Sequence, residues 1–127
     1  MNWNKYNARK IRSGGEVFDS LKEYRRWQEL TLLQKAGEIT GLQRQVKYTL
    51  IPEQREPDTR GPRGGLRKGR LLERGCYYIA DFIYFDRTLD RQVVEDVKGY
   101  RDGVAYQVFK IKRKLMLERH HIRIKEV

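Results

Sequence analysis

The chain has 127 residues, 28 of them Lys or Arg and 17 Asp or Glu, for a formal charge of +11 at neutral pH. That length holds one domain with one core, so a binding cleft and the core must share the same few elements, and the excess positive charge points to an anionic partner, nucleic acid first. A single cysteine, Cys76, excludes an intrachain disulfide framework and a cysteine-based zinc site. With no apolar run of membrane-spanning length and no signal-peptide core at the start, the expected compartment is the cytoplasm.

Residues 1–17 are polar and basic and carry Ser13-Gly14-Gly15 near their end. They read as a flexible arm bearing Trp3 and Tyr6, open to a nucleic-acid role or to simple terminal disorder, with the domain proper over 18–127. Asp19 or Ser20 can cap a helix that should run to about Ala36, where Gly37 stops it. Glu23, Trp27 and Leu30 form an i, i+4, i+7 row, which predicts a carboxylate on an inward face, while Arg25, Arg26 and Glu29 mark the solvated side. Glu23 is therefore a candidate site residue, and equally a first-turn acid favoured by the helix dipole. Residues 43–51 alternate as a strand that Pro52 ends. The Arg/Gly-rich stretch at about 53–70 has no apolar period and reads as a long flexible loop, in which Arg60, Arg63, Arg67, Lys68 and Arg70 are candidate DNA contacts.

Residues 76–86 and 92–98 are aromatic and β-branched enough for two buried strands, with a hairpin turn over 87–91. After Gly99, Val104, Val108, Ile111 and Leu115 recur at helical spacing, widened by Phe109 and Met116, and predict the inward face of a second helix. Its opposite side carries Gln107, Lys110 and Lys114, with Tyr106 and Arg113 beside them. This basic side is either a solvated face or a DNA-contacting wall of the cleft. His120 and His121 read as helix-end residues rather than metal ligands, since no other spaced ligands accompany them. Residues 122–127 alternate as a last, edge strand. The order helix, three strands, helix, strand implies an α/β fold in which a right-handed parallel crossover makes the sheet mixed.

Asp81, Asp96 and Lys98 interrupt strands that otherwise read as sheet interior. Side chains alternate along a strand, so Asp96 and Lys98 share a face and Val97 points the other way. Carboxylates there are costly to bury unless something binds, and a divalent metal with a phosphate fits. Glu95 falls on the opposite face with Val93 and Val97, which predicts a structural role and a basic partner from the first or last helix. A register slip of one residue would exchange the roles of Glu95 and Asp96.

The order αβββαβ, with an acid on the first helix, Asp81 in the second strand and the acid-x-Lys Asp96-Val97-Lys98 in the third, resembles the PD-(D/E)xK nuclease superfamily. FDSLKEYRRWQEL, LLQKAGEI, YYIADFIY and VVEDVKG are similar to phrases of a family of small bacteriophage proteins assigned to that superfamily, with Ala80 where the superfamily's name has Pro. The resemblance implies a restriction-endonuclease-like core and Mg²⁺- or Mn²⁺-dependent hydrolysis of DNA phosphodiesters, with Glu23, Asp81, Asp96 and Lys98 catalytic. It implies metal ligation by Asp81, Asp96 and the Val97 carbonyl, with Glu23 completing the set. Hard oxygen ligands suit Mg²⁺, and Lys98 supplies a compact positive charge for a water or a phosphate. Branched DNA such as a Holliday junction, in phage replication or recombination in the host cytoplasm, is the expected substrate. Two cuts would call for a homodimer. The alternatives are a non-catalytic DNA-binding protein on the same fold and an RNA-directed nuclease.

Overall fold

The computed structural model describes residues 10–99 and 101–127. The expectation for Trp3 and Tyr6 lies outside them. The second half of the segment read as a free arm is a hairpin: β1 (Ile11–Ser13) pairs antiparallel with β2 (Glu16–Phe18). Gly14 and Gly15, at φ 58° and 80°, form the two-residue turn that needs positive φ at both positions, so what reads as a flexible Gly-Gly is a turn former. Phe18, fully buried, anchors this hairpin to the domain.

Helix α1 (Leu21–Lys35) starts and stops where its signals place it. The Ser20 side chain accepts from the Glu23 amide at the N-cap, and Gly37 leaves the helix at φ 79°. β3 (Ile39–Ile51) begins four residues before the predicted strand. An irregularity between Thr40 and Gln43, with Gly41 at φ 66°, hides the alternation there. The stretch expected as a flexible loop is instead a paired ribbon. β4 (Gln54–Arg55) pairs with β7 (Leu71–Glu73), and β5 (Thr59–Arg60) with β6 (Leu66–Arg67), both antiparallel. Both of its faces are wet, so it has no apolar period to betray it.

β8 (Cys76–Asp86) and β9 (Arg91–Asp96) follow, then α2 (Gly103–His120), capped by Asp102 and by His121 in the left-handed region, and β10 (Lys125–Glu126). The sheet order is β10-β9-β8-β3, with β10 parallel to β9 and the other pairs antiparallel: the mixed sheet with a parallel crossover that the element order implied. β10 is an edge strand, shorter than expected.

The helices cover opposite faces, because Val93 and Val94, neighbours on β9, pack in different clusters. Val93 joins Leu30 of α1 with Ile39, Phe82 and Tyr84, whereas Val94 joins Phe109 and Met116 of α2 with Leu50, Tyr78, Ala80, Ile83 and Ile124. The inward row expected on α2 is corrected. Phe109 and Met116, expected to widen it, are buried and Leu115 packs against the core, whereas Val104 is 81 % and Ile111 59 % exposed and Val108 is also at the surface. Two apolar rows compete on this helix. Phe109 decides the rotation by packing beside Tyr78 under the sheet.

Candidate functional site

The clusters show that side-chain alternation slips at one level of the sheet. On β8, Ala80 and Ile83 face α2 while Phe82 and Tyr84 face α1, so the phase changes at Asp81. On β3, Arg44 lies over the Phe18 ring on the α1 side and Val46 packs on the α2 side, so the phase changes at Gln45. The register pairs Arg44 with Phe82 and Val46 with Ala80, which puts Gln45 across from Asp81. Gln45 holds φ 54°, a left-handed conformation that costs a non-glycine residue about 1 kcal/mol or more. The sheet thus bends where its polar side chains gather.

The β8–β9 ladder ends at the Phe82–Glu95 pair. The next free amide, Val97 N–H, is taken by the Asp81 side chain (Oδ2, 2.8 Å) instead of by β8 main chain. Asp81 Oδ1 accepts from Gln45 Nε2 at 3.3 Å, and the same amide nitrogen donates to Glu23 Oε1 at 3.0 Å. Glu23 is buried, as its helical row predicted, and lies in the first turn of α1. Oε2 accepts from the Asp19 amide at the helix start, while Oε1 faces Gln45 and the Arg44 guanidinium (3.3 Å). Arg44 is held between Phe18 and Trp27, and its Nε is the one buried side-chain polar atom without a hydrogen-bond partner among the described residues.

Asp96 and Lys98 share the α2 face. Lys98 Nζ is 3.2 Å from Asp96 Oδ2 and 3.3 Å above the Phe109 ring, and the Tyr78 hydroxyl donates to the same Asp96 oxygen at 3.0 Å. Glu95 faces α1, where Arg26 grips it with two bonds of 2.8 and 2.7 Å and Tyr84 donates a short hydrogen bond. Its structural role and its partner on the first helix are thereby as expected. This grip raises the Arg26 pKa, and burial, followed by Glu95, raises that of Tyr84.

Among the described residues Glu23 and Asp96 each have a cation and Asp81 has none. Burial first, then the Asp96 and Glu23 carboxylates, push the Asp81 carboxyl up to about 7 against the opposing Val97 N–H. Tyr78 is pushed far above the usual phenol range by burial and by Asp96. No group of three or more His, Cys, Asp or Glu side chains able to hold a metal ion is present among the described residues. Asp81 is a carboxylate with amide donors alone, near enough to Asp96 and Glu23 for their charges to act on it.

Sequence reasoning missed Arg44, Gln45 and Tyr78. Tyr78 reads as core, and nothing in composition marks a glutamine that will adopt positive φ. Of the candidate DNA contacts, Arg60, Arg63, Arg67, Lys68 and Arg70 are exposed on the ribbon, with Lys68 near Glu53 (3.6 Å) and Arg70 on Glu56 (3.2 Å). On α2, Gln107 and Lys114 are exposed, Lys110 is half-buried near the Tyr106 ring, and Arg113 is bound by Glu126 at 3.0 Å. His120 bonds the Thr49 carbonyl and His121 caps the helix, as helix-end residues should. No helix of the described residues is long and apolar enough to cross a membrane. A family model described as "Protein of unknown function (DUF1064)" matches residues 3–126. No curated protein and no solved structure matches the chain.

Proposed function

The chain belongs to the DUF1064 family, and from its carboxylate site we propose that it is a divalent-metal-dependent DNA endonuclease of the PD-(D/E)xK type. The observation that carries this reading is the meeting of Asp81, Asp96 and Lys98 at the end of the β8–β9 ladder, with Asp81 meeting no cation among the described residues. A protein that only binds phosphates gains nothing from carboxylates beside them. Asp81 and Asp96, with the Val97 carbonyl, would hold Mg²⁺ or Mn²⁺, which supplies charge neutralisation at the phosphate and a more acidic water. Lys98 is pre-positioned by Asp96 and Phe109 to hold an attacking water or to offset charge building on the phosphate. Tyr78 fixes the Asp96 oxygen that Lys98 also contacts, and Gln45 spaces Glu23 from Asp81. The likeness to small bacteriophage proteins supports branched DNA as substrate and a homodimer as the cutting form.

The test is incubation of the purified protein with linear, single-stranded, flapped and four-way DNA in Mg²⁺, Mn²⁺ or EDTA. Cleavage requiring the metal is expected. Asp81→Ala and Asp96→Ala should abolish it while leaving DNA binding similar or tighter, because losing a carboxylate relieves repulsion with phosphate. Full cleavage by both variants would overturn the site.

A further inference from the structure

Residues 52–75 leave the sheet as a continuation of the β3–β8 hairpin and pair chiefly with themselves. Main-chain bonds hold this arm along its length: Glu56 N–H to Arg70 O at 2.9 Å, and at the tip Gly61 N–H to Gly65 O at 2.7 Å. Asp58 accepts from the Gly69 amide, and Gly69 lies so close to the Glu56 main chain that an added Cβ would sit 1.7 Å from the Glu56 carbonyl oxygen. The arm is therefore a built structure with a defined path.

Its charge is unevenly placed. Nearer the sheet, Arg55 and Lys68 lie against Glu53 and Arg70 pairs with Glu56, so the root is compensated. At the tip, Arg60, Arg63 and Arg67 meet no carboxylate among the described residues, and none occurs between 59 and 67. Leu66, cross-strand from Arg60, is 69 % exposed among them. We propose that this arm lies in the major groove of a DNA duplex flanking the carboxylate site, with Arg60, Arg63 and Arg67 as the tip's phosphate and base-edge contacts.

Dimensions favour that occupant. Ten residues on each side of an extended ribbon reach roughly 30 Å, and a two-stranded ribbon fits a B-DNA major groove about 12 Å wide. The A-form RNA major groove is too deep and narrow to admit it. Leu66 then meets the groove floor, where thymine methyl groups offer apolar contact. The inference deepens the proposed function by naming duplex DNA, but it needs no cleavage.

The test measures binding of the whole chain in EDTA to duplex DNA, single-stranded DNA and duplex RNA over a range of salt. The triple variant Arg60→Ser/Arg63→Ser/Arg67→Ser should weaken duplex DNA binding by about tenfold or more and flatten the log K against log[salt] slope by up to about 3. Gly69→Ala, which leaves every charge in place, should also weaken duplex binding by displacing the ribbon, with the thermal midpoint of the domain retained. An unchanged affinity and slope in the triple variant overturns the proposal. So does an equal loss on single strands, which marks a mere electrostatic tether, or equally tight arm-dependent binding of duplex RNA. Because binding is read without metal, a protein that never cleaves but shows these losses refutes the nuclease reading and keeps the arm.

Discussion

Glu95 and Asp96 are adjacent carboxylates with opposite surroundings, and the difference is testable one residue at a time. Glu95 is fully buried and held by Arg26 and Tyr84, so Glu95→Gln removes the buried charge that Arg26 grips with two bonds and leaves it only the exposed Glu29. That should destabilise the protein by about 3 kcal/mol in chemical denaturation while retaining cleavage wherever the protein is folded. Asp96→Asn keeps the shape and an acceptor for Tyr78, so it should fold with nearly unchanged stability and be inactive. The reverse pattern would place Glu95 at the chemistry. Gln45 offers a second test. Gln45→Gly relieves the left-handed backbone but deletes the amide between Glu23 and Asp81, so stability should stay within about 1 kcal/mol of the parent while cleavage falls. A fully active Gln45→Gly would reduce the amide to packing.

Among the elements, α2 most clearly separates pattern from packing. Its rows through Val104, Val108 and Ile111 and through Phe109 and Met116 are both apolar, and only the second is buried. Phe109→Ala removes the ring under Lys98 and beside Tyr78 and should cost about 3–5 kcal/mol. Ile111→Ser should change stability by no more than about 0.5 kcal/mol. Equal losses at the two positions in urea unfolding would mean that the helix packs in the other phase. β3 and β8 bend together at Gln45 and Asp81, so two strands that read as continuous each change face halfway. That bend lets one sheet serve an aromatic core toward α1 and a carboxylate site at its margin.

For the molecule as a whole, Asp81, which meets no cation among the described residues, should appear in the pH dependence of stability. Its carboxyl is raised from an ordinary 3.8 to about 7 in the folded protein, so between these values the native state binds more protons than the unfolded chain. Stability from this group is full below about pH 4 and is lost as pH rises through about 7. The metal-free thermal midpoint should therefore fall over this window, and the decline should be blunted in Asp81→Asn. Mg²⁺ at pH 8 should raise the midpoint of the parent by binding the ionised form, and should not raise that of Asp81→Asn. A Mg²⁺ effect of equal size in both proteins would place the ion elsewhere.

The sequence by itself determined the order of the main elements, the mixed sheet, the caps of α1, the burial of Glu23 and the opposite facing of Glu95 and Asp96. Each follows from a local rule: cap chemistry, the 3.6 and 2.0 periods, or the handedness of a crossover. Tertiary structure decided the rest. The basic ribbon carries no apolar period because water bathes both its faces, and the three-residue strands of the Gly14-Gly15 hairpin are too short to show one, so pairing alone reveals them. The phase of α2 depended on which apolar row met Tyr78, and the start of β3 on an irregularity that breaks alternation. Arg44, Gln45 and Tyr78 joined the site because the chain folds them against residues 18 to 36 positions away, a proximity that no local pattern encodes.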